Sequence, residues 1–263
     1  MDAAETHLAG SPEIALSVGA YRAVICGSST VREAALDLRA RAFRQGAPDL
    51  DMFDQFSAHG VVRIQGQPAI HAFRVRLVRS AADLHETYTG QHYELDGLKE
   101  DLAPFVEIGR FCQAEGPVDV MAARLAWAAL AAFVDAHHAR MLIGCTSLPG
   151  ASLDRHHAVL ATLRAHHLGP EALRPGKRSA QAVSLPMASV APQPLPHLLQ
   201  GYLNLGGWVG DHVVVDEQLD RLHVFTALRV EDIPKSRKRR LRALAQAGRG
   251  TGRDTLDVAS AAP

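Results

Sequence analysis

Cysteine is scarce in this chain, with three residues (Cys26, Cys112 and Cys145) among 263. Three thiols cannot build a disulfide framework, and an odd count without a secretion signal fits a reducing cytosol. Net charge is absent too: Lys and Arg total 28, as do Asp and Glu. No global field therefore attracts nucleic acid. The amino-terminal residues Met1-Asp2-Ala3-Ala4-Glu5 lack a basic leader and a long apolar stretch. No window of about 20 residues is apolar enough to span a bilayer. A cytoplasmic location is expected, and any lipid must be reached from the membrane surface. Internal repeats are also missing.

What is present is a 47% hydrophobic composition, enough for a sizeable core. Residues 1–18 read as an irregular amino terminus, 19–245 as a single domain and 246–263 as a disordered tail. Between them the periodicity predicts strands over 20–26, 60–64, 69–78, 105–113, 140–148, 213–216 and 223–230. Helices are predicted over 30–43, 118–138 and 153–167, the first capped by Ser29 or Thr30. Five prolines between 174 and 196 predict a long loop with at most one short strand. The order β-α-β-β-β-α-β-α-β-β describes an α/β (α+β) domain with a mixed sheet flanked by helices.

The chemistry concentrates in Glu107-Ile108-Gly109-Arg110, which sits on a strand followed by a turn and the longest helix. A helix tip behind such a turn presents free N–H groups to phosphate. Strand alternation puts Glu107 and Gly109 on one face, Ile108 and Arg110 on the other. The competing reading is a structural ion pair at a sheet end. Arg39 and Phe43, Asp51 and Asp54, and Arg74 form a second group, each bland alone. Trp208 between glycines is a core residue or part of a channel wall. No histidine pair has the spacing of a zinc site, so no metal is expected.

Four segments carry a family resemblance. They are Leu38-Arg39-Ala40-Arg41-Ala42-Phe43, Asp51-Met52-Phe53-Asp54 with His59, Glu107-Ile108-Gly109-Arg110, and 201–210 (Gly-Tyr-Leu-Asn-Leu-Gly-Gly-Trp-Val-Gly) with Asp216. The chain resembles the ornithine-lipid-forming N-acyltransferases of the GNAT superfamily and, more distantly, the acyl-homoserine lactone synthases. The likeness spans roughly residues 20–233. It implies a GNAT-like, mostly antiparallel central sheet with extra carboxy-terminal elements. The implied reaction moves a 3-hydroxyacyl group from acyl carrier protein to the α-amine of L-ornithine, giving a lyso-ornithine lipid. Another amine (glutamine, lysine or glycine), or a non-catalytic acyl-binding module, remains the alternative.

On that resemblance Glu107 is the expected general base, with Arg110 beside it. Arg39, Phe43, Asp51, Asp54, Arg74 and Trp208 are expected around the acceptor. The arginines either organise the acidic loop or grip the acceptor's carboxylate. Phe111, Cys112, Gln113, Val118, Asp119 and Val120 are expected along the phosphopantetheine arm. The turn 115–119 (Glu-Gly-Pro-Val-Asp) departs from the GNAT diphosphate loop, and a donor with one phosphate suits it better than coenzyme A. No resident cofactor is expected. The basic run from Lys235 to Arg242, with Arg140 and Arg155, could dock an acidic carrier protein or touch anionic lipid; a solvated helix is the plain alternative.

Overall fold

The computed structural model describes residues 13–187 and 193–249. Its strands are β1 (Ile14–Val18), β2 (Tyr21–Cys26), β3 (Ala58–Ile64), β4 (Ala69–Val78), β5 (Tyr93–Glu94), β6 (Phe105–Gln113), β7 (Met141–Pro149), β8 (Gly176–Lys177), β9 (Ala182–Ser184), β10 (Trp208–Asp216) and β11 (Arg221–Arg229). Its α-helices are α1 (Ser29–Arg44), α2 (Tyr88–His92), α3 (Val120–Ala136), α4 (Leu153–His166), α5 (His197–Asn204) and α6 (Lys235–Arg249). Nine strands make one sheet in the order β1-β2-β3-β4-β6-β7-β11-β10-β9, and β5 pairs with β8 separately. Every pairing between strands is antiparallel except β6 with β7. This is the mixed, mostly antiparallel sheet that the sequence predicts.

The helices form where periodicity and caps agree. Ser28 caps α1 by accepting from the Val31 N–H, one residue earlier than expected. Val31, Ala35 and Leu38 bury one face of α1 against Val24, Val61 and Ala72. Asp119 caps α3, whose alanine- and leucine-rich length covers the opposite face of the sheet beside β1 to β4. Helix α6 packs on α3 and β1 through Ala245.

Some expectations change. The stretch before residue 19 is not irregular where it is described: Ile14 and Leu16 are buried and Ala15 exposed, a strand's alternation. Gly19, at φ +57°, turns β1 into β2. The basic run is a helix that continues past residue 246 to Arg249; residues 250–263 lie outside the described residues. The proline-rich segment carries two short strands, β8 and β9, with 188–192 outside the described residues. No described helix is long and apolar enough to cross a membrane.

The feature that positions the site is a fork. Strands β6 and β7 pair only from Phe105↔Met141 to Ile108↔Gly144. Beyond that point β6 stays with β4, up to the pair His71↔Gln113, and β7 stays with β11, up to Arg221↔Pro149. The two strands therefore part. Gly144 stands at the last pair, where an added Cβ would come within 2.4 Å of the Ile108 carbonyl oxygen. Only glycine lets the backbones approach so closely there.

Candidate active site

A pocket lies in the fork. It is lined from β6 by Glu107 to Phe111, from β7 by Cys145 to Ser147, and from β11 by Arg221 and Thr226. Phe43, Asp49, Arg74, Tyr88 and Thr89 contribute on the α1 side of the sheet, and Leu198 and Tyr202 of α5 on the α3 side. The charged groups of the lining thus gather on the α1 side, with Ile108, Phe111, Leu198 and Tyr202 on the other.

Arg110 is on the side opposite to the one strand alternation predicts. Arg74 pairs with Gly109 and Ala72 with Cys112, so β6 spends three steps against two of β4. The extra residue makes a bulge, with Arg110 in the left-handed region at φ +52°. The bulge turns the guanidinium toward Tyr88, over whose ring it lies at 5.1 Å. Arg110 and Glu107 now share one face, and Phe111 turns the other way to stack on Phe73.

Glu107 is buried. Its Oε1 accepts from the Thr89 N–H at 2.7 Å and the Thr89 hydroxyl at 2.6 Å; Oε2 accepts from the Tyr88 N–H at 3.3 Å. These donors sit at the start of α2, which Thr87 caps. No cation is paired with the carboxylate among the described residues. Oε2 keeps a lone pair for the pocket.

Arg39, Asp54 and Arg74 make a different kind of cluster. Arg39 is 0% exposed, bonded to Asp49 at 2.8 Å and Asp54 at 2.6 Å. Arg74 bonds Asp54 at 3.1 Å and also Asp51. Asp51 and Asp54 cap each other across the short 3-10 turn Met52–Phe56. Burial alone raises the Asp54 carboxyl, but the Arg39 hydrogen bond and the charges of Arg74 and Arg39 outweigh it and hold it well below the carboxylate range. Of the two roles open to Arg39, the geometry is that of a loop organiser. Arg39 and Asp54 are absent from the pocket wall, whereas Arg74 and Phe43 line it.

Trp208 does not line the pocket. It packs against Phe225 and beneath Gly169, 7% exposed, because β10 starts at residue 208 and turns the indole into the core. Cys112 is also buried away from the opening, under α1, and burial pushes its thiol up to about 12. Gln113 pairs with His71 on β4. Val118 and Val120 are exposed on either side of the α3 cap. Asp119 accepts from the Ala122 N–H and from the Tyr21 hydroxyl at 2.9 Å, so its charge is occupied locally.

Several site residues escape a reading by sequence. Asp49 pairs with Arg39 and Arg110, yet in sequence it is one loop aspartate among several. Tyr88 and Thr89 lie in a stretch with no marked periodicity. Arg221 lines the pocket over the Phe43 ring at 5.1 Å. It forms no ion pair with a described carboxylate. Burial and then the Arg110 charge lower its pKa. Ser147, His223 and Asp216 are linked by hydrogen bonds across β7, β11 and β10. Of these only Asp216 stands near a recognisable motif.

Residues 31–127 match the model of the acetyltransferase (GNAT) domain. An L-ornithine N(alpha)-acyltransferase of Rhodobacter capsulatus is 33% identical over 187 residues, covering 67% of this chain and 72% of that protein. One from Brucella abortus is 26% identical over 245 residues, 82% of this chain and 86% of the relative. Among solved structures, an N-acyl amino acid synthase from uncultured soil microbes aligns with a TM-score of 0.43 at 13% identity, covering 86% of this chain and 96% of that one. The acyl-homoserine lactone synthase LasI aligns with a TM-score of 0.36 at 12% identity, covering 76% and 84%. The chain is an acyltransferase with a GNAT domain, and it belongs to the L-ornithine N(alpha)-acyltransferase family.

Proposed function

We propose that the chain transfers a 3-hydroxyacyl group from the phosphopantetheine thioester of acyl carrier protein to the α-amine of L-ornithine, forming a lyso-ornithine lipid. The observation that carries this reading is the fork between β6 and β7, with a polar pocket on one side and an apolar wall on the other. A pantetheine arm entering between the parted strands would bring its thioester carbon beside Glu107. Its path would run along Phe111 to Gln113 and the α3 tip at Val118 to Val120. Asp119, already engaged, leaves that tip suited to one phosphate better than two.

Glu107 is the proposed general base, directly or through a water, using the lone pair left on Oε2. Arg110 shapes the acceptor side by holding Asp51 at 3.0 Å. Arg221, without a carboxylate of its own, is the proposed partner of the acceptor's carboxylate. Arg237, Arg239 and Arg240 of α6 are exposed and offer the proposed docking face for an acidic carrier protein; Arg140 and Arg155, beyond opposite ends of β7, are exposed candidates elsewhere.

The test is direct. The protein is incubated with acyl carrier protein loaded with a 3-hydroxyacyl chain and a panel of amino acids, and N-acyl products are read by mass. Acylation of the ornithine α-amine is expected. Product on a different amino acid replaces the acceptor. A retained acyl carrier with no product from any amine leaves an acyl-binding module.

A further inference from the structure

Amide formation from an ammonium sheds two protons from nitrogen. The acceptor arrives with three N–H bonds and the amide keeps one. Of the two protons lost, one ends on the thiol and the other in water. Glu107 offers one receiving group. The second is on the other arm of the fork.

Ser147 of β7 lines the pocket and sits directly across from His223 of β11. The two side chains are 3.1 Å apart, Oγ to Nδ1. On its other side, His223 Nε2 is 3.1 Å from Asp216 Oδ2. The imidazole is 0% exposed. The hydrogen bond from His223 leads the effects that lower the Asp216 carboxyl to about 2, so it is ionised and can only accept. The proton on the ring is therefore on Nε2, shared with Asp216 and with the Tyr88 oxygen at 3.2 Å. With the proton on Nε2, Nδ1 is free to accept the Ser147 O–H. That leaves the Ser147 lone pairs facing the pocket.

The other groups facing the imidazole come from α2, β6 and β7. His92 lies against it with ring centroids 4.7 Å apart and planes tilted by 40°, and burial lowers its pKa to about 4, so it is neutral. Burial raises Tyr88 to about 12, also neutral. Burial likewise raises the Cys145 thiol well above its usual range. The Arg110 charge is countered by Asp49 and Asp51. An imidazolium formed at His223 thus meets one unshared anion, Asp216.

We propose that Ser147, His223 and Asp216 form a proton relay that takes the first proton from the acceptor's ammonium. The ammonium N–H passes to Ser147 Oγ as the serine proton passes to His223 Nδ1. Asp216 holds the resulting imidazolium. The neutral amine then attacks the thioester carbon, forming the C–N bond and placing the carbonyl electron pair on oxygen. Glu107 takes the second N–H proton. The C–S bond breaks as the carbonyl re-forms, and the departing thiolate receives that proton from Glu107. The Nδ1 proton of His223 then returns through the Ser147 hydroxyl to water in the emptied pocket, which restores the starting tautomer with Nε2–H on Asp216. Ser147 is the catalytic group that touches the amine; His223 and Asp216 act through it. The proposal rests on the reading of the pocket as the amine site.

The test is the pH–rate profile of wild type, Ser147→Ala and Asp216→Asn. Asp216 Oδ1 also accepts the Leu219 N–H at 2.9 Å. An Asn there keeps its oxygen on Leu219 and turns its NH2 to His223, which moves the ring proton to Nδ1 and blocks the relay. Both variants should keep the wild-type unfolding midpoint and lose at least about tenfold in kcat at neutral pH. The loss should shrink as pH rises and the acceptor arrives already neutral. A pH-independent loss, or a wild-type profile in Ser147→Ala, overturns the relay while normal wild-type turnover leaves the pocket reading intact. An acyl adduct on Ser147, seen by intact mass with donor alone, also overturns it by making the serine a nucleophile. Wild type that acylates no amine sinks the pocket reading and the relay together.

Discussion

Asp54 and Glu107 are both buried carboxylates on the α1 side of the sheet, and their partners differ in kind. Asp54 is gripped by two guanidinium groups and shows nothing to the pocket. Glu107 is held by two N–H groups and a hydroxyl at the tip of α2, with no cation, and it lines the opening. A carboxylate locked to cations is neutralised and fixed; it sets the shape of the loop. A carboxylate held by neutral donors beside an opening keeps a lone pair that faces the pocket. The contrast marks Arg39 and Asp54 as parts of the loop's architecture and leaves Glu107 as the proposed base.

The largest effect expected from breaking this contrast is on stability. Arg39→Met leaves Asp49 and Asp54 buried without their shared cation, and should cost about 3–5 kcal/mol by denaturant unfolding. An unchanged midpoint would mean that the network is not structural. The same cluster predicts acid sensitivity. Asp54 is depressed in the folded state, so its contribution is present above the unfolded value of about 4 and is lost as pH falls through the lower folded value. Unfolding midpoints followed from pH 6 downward should fall in wild type, and this slope should flatten in Arg39→Met.

Glu107→Gln should leave the midpoint close to wild type and lower kcat by about a hundredfold, near 2.7 kcal/mol of barrier. Near-normal turnover would remove the base assignment. Arg221→Gln should raise KM for the amino acid by about tenfold and leave KM for the acyl carrier unchanged. It should also erase the preference for the amino acid over its amide. A rise confined to the donor would assign this guanidinium to the donor's phosphate instead.

The smallest effect should come from α6, where charges are solvated. Reversing Arg239 and Arg240 to Glu should raise KM for the acyl carrier severalfold at low salt and little at high salt. A KM indifferent to both would leave α6 a solvated helix that packs on α3.

The bounds of β4 and β6 were legible because each ends at a turn, and those of the capped helix α3 to within two residues at each end. Strand β1 was missed because five residues beside a glycine turn carry too little pattern alone. Helix α2 has only five residues and no amphipathic stripe, so the donors that hold Glu107 were invisible. The glycine neighbours of Trp208 leave core and channel wall both open, and strand β10 turns the indole into the core.

By itself the sequence determined the main strands, the three long helices and the identity of the charged residues, because these follow from local period, and its motifs carry the resemblance to the family. The tertiary structure alone decided which charges meet. The bulge at Arg110 reverses one side chain's face, and the fork at Gly144 opens a gap between two strands. The pairing of β7 with β11 brings Ser147 to His223 across 76 residues. Contacts at such separation are set by sheet register, which no local pattern of residues encodes.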